Sequence, residues 1–271
     1  QGRGSIAAHN IIEVCNDLGI QFWGHIAGKA YGNTIYDCRV GLGIFHDSHW
    51  CLVTVNTVDT TLEEGIMLNY TDETYYPYEN EVSHNIVRNA GTEPTATYPG
   101  VLCRDGCGED NDCVHNKVFA PVMGHAIDWY SVRARIADNT AKGWPAGKSG
   151  ILARSDYQKV HHNILDGESV GPIGLVIQGD RVDADHNTVE NCPLYGVQLH
   201  GCTGVTVKDN PVHNCGTPII ETGGATGNTI EGNPGAPWSG EHLCATGVLT
   251  AGVANAIAFA WQNPHAAKIL I

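Results

Sequence analysis

Two arginines and a tyrosine stand at similar intervals in the middle of the chain, as Arg104, Tyr130 and Arg154. A phenol placed between two guanidinium groups has a lowered pKa, because the positive charges favour its ionised form. Such a phenol can exchange a proton with a substrate while the guanidinium groups neutralise the carboxylate of a uronate sugar. These residues therefore predict a polysaccharide lyase centre that works by β-elimination, provided that the fold brings them together.

Carboxylates in the same part of the sequence support a second chemistry, the hydrolysis of glycosidic bonds. The candidates are Asp47, Asp72, Asp105, Asp128 and Asp156. Carboxyl groups about 5 Å apart suit a retaining glycosidase, and groups about 6.5–9.5 Å apart suit an inverting one. Each of these residues also suits a solvated polar surface. Lyase, hydrolase and epimerase chemistry therefore stay open, with the lyase preferred.

Aromatic and polar residues outside this group are candidates for binding a glycan. Sugar rings have apolar faces that stack on aromatic side chains, and polar side chains bind their hydroxyl groups. The predicted substrate-binding residues are Trp23, His49, Asn69, Tyr70, Asp72, Tyr157, Gln178 and His200. Trp129 falls on the inward phase of its strand, so we expect it in the core.

An asparagine that returns about every 23 residues supplies the framework that could position these side chains. The repeated residues are Asn10, Asn33, Asn56, Asn85, Asn116, Asn139, Asn163, Asn187, Asn210 and Asn228. The residue before each asparagine is usually His, Asp or Gly, types that tolerate a tight corner. The leucine-rich repeat, which has a similar length, is excluded because its leucine signature is missing. The period predicts one coil of three short β-strands per repeat.

Stacked coils place equivalent residues about 4.8 Å apart, so residues at equal positions form columns. The outward column expected on the second strand is Trp23, Asp47, Asn69, Arg104, Tyr130, Arg154, Gln178 and His200. The largely apolar column two positions earlier is Gln21, Phe45, Met67, Leu102, Asp128, Leu152, Val176 and Gln198. Two insertions, at 69–78 and 103–113, are predicted to wall a groove over these columns.

The ten cysteines allow either buried thiols or disulfides. Cys15 and Cys38 follow their asparagines by the same number of residues, and so do Cys192 and Cys215. Each pair should therefore stack on neighbouring coils, where a thiol ladder is preferred over a disulfide. A disulfide between Cys107 and Cys113 could clamp the second insertion.

No metal site is predicted and no cofactor is required, but calcium binding stays open as an alternative. Glu109, Asp110, Asn111 and Asp112 have the oxygen ligands that calcium prefers, but they lack the spacing of a known calcium loop. His161 and His162 are interpreted as corner residues before an asparagine and not as a ligand pair. His46 is expected to point inward, and His49 to lie in a turn.

The composition limits the partners that the protein could have. The formal charge of −14, with 15 basic and 29 acidic residues, argues against binding a nucleic acid. An acidic polysaccharide would be repelled at long range, although a local cluster of arginines can outweigh that repulsion. No apolar run approaches the length of a membrane span, and the start at Gln1 suggests a processed or excised piece.

The repeat from about residue 5 to residue 233 resembles the pectate-lyase-like superfamily. That resemblance implies an all-β fold, a right-handed parallel β-helix of about nine to ten coils over residues 1–233. It also implies an extracellular or virion and cell-surface protein that acts on or binds a polysaccharide. The alternative is a phage tailspike or adhesin that binds glycans without catalysis, assembled as a homotrimer.

After Asn228 the period breaks, and residues 234–271 are expected to form a C-terminal cap or the start of a small β-segment. This tail resembles segments of phage structural proteins, and that resemblance supports the tailspike alternative.

Overall fold

The computed structural model describes residues 2–70 and 75–235, which form 28 β-strands and no helix. The neighbouring strands pair in parallel, and each coil contributes up to three strands to the stack. The predicted right-handed parallel β-helix is confirmed. No helix in this part of the chain is long and apolar enough to cross a membrane.

The third strand of each coil belongs to a ten-stranded sheet, so the stack has about ten turns. Its strands are β2 (Ile6–Ala8), β5 (Lys29–Tyr31), β7 (Leu52–Thr54), β10 (Glu81–Ser83), β13 (Asp112–Val114), β16 (Arg135–Ala137), β19 (Lys159–His161), β22 (Asp183–Asp185), β25 (Thr206–Lys208) and β28 (Thr229–Glu231). A two-stranded sheet pairs β1 (Gly2–Arg3) with β4 (His25–Ile26).

The first and second strands form one 16-stranded sheet, joined by the long strands β3 (Ile11–Trp23) and β6 (Thr34–Phe45). The first strands are β8 (Thr57–Asp59), β11 (Ile86–Arg88), β14 (Lys117–Phe119), β17 (Thr140–Lys142), β20 (Ile164–Asp166), β23 (Thr188–Glu190) and β26 (Val212–His213). The second strands are β9 (Ile66–Asn69), β12 (Val101–Cys103), β15 (Ile127–Trp129), β18 (Ser149–Ala153), β21 (Ile173–Ile177), β24 (Tyr195–His200) and β27 (Thr217–Thr222). We call the outward side of these second strands the second-strand face.

A continuous asparagine ladder runs through the stack. Each side-chain Nδ2 donates to the Oδ1 of the next asparagine, as from Asn85 to Asn116 at 3.0 Å and from Asn163 to Asn187 at 2.8 Å. The backbone N–H donates to the same Oδ1, so a buried amide satisfies its neighbour. The residues before the asparagines have positive φ, for example 55° at His162, which confirms the corner interpretation.

The prediction that Asn228 ends this ladder is wrong. Asn210 donates to Asn233 at 3.0 Å, so the period of 23 continues. Asn228 instead lies at a different corner, just before β28, and accepts from the backbone N–H of Val205 at 2.8 Å. Asn80 occupies the equivalent corner before β10 and donates to Asn111 at 2.9 Å. A second, shorter ladder therefore exists that the sequence pattern did not reveal.

The interior is filled by aliphatic residues and two fully buried tryptophans, Trp129 and Trp144. Trp129 donates its indole N–H to the Asn111 carbonyl at 2.8 Å, in agreement with its predicted place in the core. The nine described cysteines are all free thiols, and seven of them are buried. The disulfide alternatives are therefore not formed in this structure. The predicted C-terminal segment lies, from residue 236 on, outside the described residues.

Candidate functional site

Strand register decides which outward residues share a column on the second-strand face. Trp23 pairs with Phe45, and Phe45 pairs with Asn69. Extending the pairing of the later strands by one residue gives the rest of the column, which we call the glycan column: Trp23, Phe45, Asn69, Arg104, Tyr130, Arg154, Gln178 and His200. The prediction that Asp47 belongs here is wrong, because Asp47 lies two residues beyond the end of β6.

The same shift places Gly43, and not Phe45, in the apolar column beside it. The Phe45 side chain leans over Gly43, where a Cβ atom would collide with the phenyl ring. Phe45 thereby joins an outward apolar cluster with Val40, Met67 and Leu102, each at most 7% exposed. The side chains of this cluster bury one another, so they shield this part of the apolar column from solvent.

Asp128 interrupts the apolar column with a buried charge. Its carboxylate accepts two hydrogen bonds from the Arg154 guanidinium, at 2.8 Å from Nε and 3.1 Å from Nη2. Burial raises the pKa of Asp128, and the hydrogen bonds from Arg154 oppose that rise. Arg154 also donates through Nη1 to the Gln178 side chain at 3.3 Å. Paired forks of this kind hold a guanidinium in one orientation.

The held guanidinium of Arg154 lies over the ring of Tyr130, 4.7 Å from the ring centroid. Burial raises the pKa of Tyr130 and outweighs the opposing charge of Arg154. The predicted lowering of this pKa is therefore wrong, although the predicted neighbours in the column are present. The sequence suggested that two unpaired arginines lie beside the phenol. In the structure the arginine over the ring, Arg154, is paired with Asp128, which reduces its effect on the pKa of Tyr130.

Two exposed charged residues stand at the end of β12 beside this group. The Asp105 carboxylate acts electrostatically on both Tyr130 and Arg154. Arg104 acts on Glu64, a carboxyl group only 2% exposed whose pKa is raised by burial. Asp105, Tyr130 and Arg154 therefore form one cluster with Asp128, and Arg104 borders it.

His125 belongs to the same face but was missed by the sequence patterns. Its Nδ1 accepts a hydrogen bond from the Ser149 backbone N–H at 3.0 Å, and the Ser149 hydroxyl lies 2.7 Å away. Burial, followed by the charges of Lys148 and Arg154, lowers the pKa of His125 to about 4. Numbering from the ladder could have found it, because His125 and Ser149 occupy one outward position on neighbouring coils.

Aromatic rings line the N-terminal end of the glycan column. The Trp23 indole stacks against Phe45 and His46, with ring centroids 6.0 Å and 5.6 Å away. Tyr75 extends this group through His46, at 4.4 Å. The predicted inward orientation of His46 is therefore wrong. Trp23 remains 48% exposed, so one face of this platform is open to a ligand.

The remaining predicted binding residues, in the column or next to it, differ in their surroundings. The Tyr70 ring packs over Gly106 of the second insertion. The Asn69 Oδ1 is buried and has no hydrogen-bond partner among residues 2–70 and 75–235. His200 is exposed and lies 3.1 Å from the Thr222 hydroxyl. Gln178 is held by Arg154, as described above.

Several predicted site residues lie away from the second-strand face. His49 is 8% exposed and stacks on Tyr78 at 4.7 Å. Asp156 and Tyr157 lie at the corner beyond the second strands, where Asp156 caps the backbone N–H of Asp180 at 2.8 Å. Asp72 lies outside the described residues. His49, Asp156 and Tyr157 lie in corners and turns, where side chains do not alternate between the two faces of a strand.

A cavity of about 380 Å³ lies beyond the carboxyl ends of the second strands, between the two insertions. It is lined by Asp47, Tyr76, Tyr78, Glu79, Gly108, Glu109, Asp110 and Arg133.

The side chains considered as calcium ligands in the second insertion contact different parts of the protein. Arg133 pairs with Glu109 and Asp110, and Arg135 pairs with Asp112 at 3.0 Å. Asn111 belongs to the short ladder. This set therefore does not fit a single calcium site.

Known structures share this fold. An alginate lyase from Paenibacillus sp. str. FPU-7 has a TM-score of 0.66 at 13% identity, with 82% of this chain and 80% of that chain covered. A mannuronan C-5 epimerase module of Azotobacter vinelandii has a TM-score of 0.58 at 12% identity, covering 85% and 59%. The Dettilon tailspike protein has a TM-score of 0.58 at 12% identity, covering 85% and 53%. Such low identities establish the fold alone.

By sequence, no curated protein matches the chain significantly. The family model described as a right handed beta helix region matches residues 1–141 and 114–238. Because this match covers most of the chain and agrees with the coil architecture, the protein belongs to the right-handed β-helix family.

Proposed function

We propose that the protein binds a polysaccharide along the glycan column and cleaves uronate-containing chains there by β-elimination. The observation that carries the proposal is the position of Tyr130, between Arg104 and Arg154 in one outward column, with the Arg154 guanidinium over its ring. An acidic sugar bound at this point would meet a cation, a phenol and a carboxylate together.

The raised pKa of Tyr130 supports a role as proton donor. At neutral pH its phenol is protonated, so it can give a proton to a leaving oxygen. Arg154 and Asp128 position the phenol, because their paired hydrogen bonds hold the guanidinium against the ring. Arg104, which is exposed, is the cation that would neutralise the uronate carboxylate.

In the proposed reaction Asp105 removes the proton at C5 of the uronate. The electron pair forms a C4–C5 double bond, the bond from C4 to the glycosidic oxygen breaks, and Tyr130 donates its proton to that oxygen. Asp105 then loses its proton to water, and Tyr130 regains a proton from water. The neighbouring positive charge of Arg104 stabilises the negative charge that develops beside the carboxylate.

The structural neighbours support a polysaccharide as the partner. Two of them are named for action on alginate and on mannuronan, and a third is a tailspike. The exposed ring of Trp23 supports the same partner, because sugars stack on aromatic faces. We further propose an extracellular or virion-surface location.

A glycoside hydrolase is the second candidate. Burial raises the pKa of Asp128, while Asp105 nearby is exposed. Carboxyl groups in such different environments can divide the roles of acid and base. The pairing of Asp128 with Arg154 disfavours this reading, because a bidentate guanidinium stabilises the ionised carboxylate.

The test incubates the protein with uronate-containing and neutral polysaccharides, following ultraviolet absorbance of the unsaturated product and the release of reducing ends. We expect both signals with a uronate polymer. Tyr130→Phe should reduce the rate by about 100-fold or more, because it removes the proton donor. Tyr157→Phe is the matched control: Tyr157 also lies under an arginine, at 5.4 Å, but at the corner outside the column.

Each other result contradicts the lyase or the role proposed for Tyr130. Reducing ends without absorbance would identify a hydrolase. Glycan binding without either signal would identify a tailspike-like binder, for which light scattering should then show a trimer. A Tyr130→Phe protein with full activity would remove Tyr130 from the mechanism.

A further inference from the structure

The corner between the third strand and the asparagine ladder contains two adjacent residues from each coil. One is the last residue of the third strand, and the other is the left-handed residue that follows it. In six successive coils, from β10 to β25, the pairs are Ser83-His84, Val114-His115, Ala137-Asp138, His161-His162, Asp185-His186 and Lys208-Asp209. Histidine at both positions, followed by aspartate on the next coil, occurs at one level of this series.

The register brings these side chains together across two coils. His161 pairs directly with Asp185 in the parallel sheet. The Nδ1 atoms of His161 and His162 are 3.0 Å apart. One potential ligand atom from each of His161, His162 and Asp185 lies within 4.8 Å of the other two. These three side chains could therefore hold one metal ion.

We propose that His161, His162 and Asp185 bind one divalent first-row transition-metal ion. Two imidazoles and one carboxylate suit Zn²⁺, and they also suit Ni²⁺ or Cu²⁺. With metal–nitrogen bonds of about 2.0–2.1 Å, two tetrahedral ligands are about 3.3 Å apart, so the observed pair needs to open by only a few tenths of an ångström. Both rings must then carry their proton on Nε2, and water completes the coordination.

The surroundings favour this arrangement. The ring of His186 stacks on His162, with centroids 5.1 Å apart and planes at 5°, which restricts the ring of the more exposed ligand. The nearby cation Arg135 is paired with Asp112 at 3.0 Å. His162 is exposed and His161 is half-buried, so an ion can enter from solvent.

The site would join neighbouring coils, since both histidines belong to one coil and the aspartate belongs to the next. It lies at the end of the third strands, on a different edge from the glycan column. The proposal therefore does not rest on the proposed lyase activity. Calcium and magnesium are disfavoured as occupants, because they prefer oxygen ligands.

The test measures Zn²⁺ binding to the full chain by isothermal titration calorimetry, with Mg²⁺ as the negative probe. The two test variants are His162→Asn, which keeps a residue that tolerates positive φ, and Asp185→Asn, which removes the charge and keeps the shape. His115→Asn is the matched control. His115 has φ of 56°, stacks on His84 at 4.6 Å and is exposed like His162. Circular dichroism first establishes that each variant is folded.

We expect the wild type and His115→Asn to bind one more Zn²⁺ than His162→Asn and to unfold at a higher temperature when Zn²⁺ is added. Asp185→Asn should bind that ion at least about tenfold more weakly. Comparing variants also separates this site from zinc held by the cysteines, which all four proteins share. Equal zinc stoichiometry in all four proteins would overturn the proposal, and so would full affinity in Asp185→Asn.

Discussion

At Tyr130, burial and a neighbouring cation act on the same hydroxyl in opposite directions. The pKa rises chiefly because the phenol is partly buried, and the positive charge of Arg154, which is paired with Asp128, does not offset that effect. Residue types and their spacing therefore predicted the wrong direction for this pKa. The raised pKa keeps the phenol protonated at neutral pH, which supports the proposed role of Tyr130 as proton donor.

His125 leads to a prediction about pH. Its pKa falls from the ordinary value of 6.5 to about 4 in the folded protein, chiefly through burial. Between these pH values His125 binds a proton in the unfolded chain but not in the folded protein, and this difference favours unfolding. The stability that neutral His125 allows is therefore present above pH 6.5 and is lost as pH falls toward 4. His125→Asn, whose amide oxygen can still accept from Ser149, should lose less stability over this range.

Denaturant unfolding of both proteins at a series of pH values measures the difference. We expect the wild type to lose about 3 kcal/mol more than the variant between neutral pH and pH 4. Parallel curves for the two proteins would show that His125 takes up its proton equally well when folded and unfolded.

At the scale of the element, the asparagine ladder couples each coil to the next through side-chain and backbone hydrogen bonds. Asn116, in the middle of the ladder, is fully buried and accepts from both the side chain and the backbone of Asn85. Asn116→Ala leaves these donors without a partner and opens a cavity. We expect a loss of about 2–4 kcal/mol in the free energy of unfolding.

Asn10→Ala is the control for this prediction, because Asn10 is exposed at the end of the ladder and only donates, at 2.9 Å to Asn33. Its cost should be below about 1 kcal/mol, as for an exposed hydrogen bond. The two unfolding midpoints in urea provide the measurement. Similar costs for both variants would mean that the ladder does not derive its strength from burial.

At the scale of the whole molecule, the stack turns local chemistry into an extended surface. Seven coil steps separate Trp23 from His200, a length of about 34 Å at the parallel-strand spacing. The net charge of −14 opposes an acidic polymer, so binding depends on the local arginines and the aromatic platform. Long substrates should therefore gain affinity from contacts far from the reacting bond.

Trp23 lies four coil steps, about 19 Å, from Tyr130. Trp23→Ala should raise KM for long chains about tenfold and leave kcat unchanged, because the lost stacking is equal in the ground and transition states. Steady-state kinetics with long and short oligosaccharides check this. Trp50, which is 59% exposed at a corner outside the glycan column, is the matched control. An equal effect of Trp23→Ala on the shortest cleavable substrate would contradict the assigned distance.

The sequence by itself determined the coil, its corners and most of the glycan column. An asparagine must satisfy a buried amide once per turn, and a residue with positive φ must precede it. Both residue types therefore recur in the sequence with the period of the coil. Arg104, Tyr130 and Arg154 could be aligned because each directly follows the last residue of its second strand.

Only the tertiary structure decided where that periodicity fails and which charges pair. Asp47 left the column because β6 ends at Phe45, and the ladder continued at Asn233 because Asn228 serves another corner. The partner of Arg154 could not be predicted, since it depends on side-chain orientation between coils. Contacts between coils join residues about one period apart, and a single chain carries no local signal of which rotamer each of them adopts.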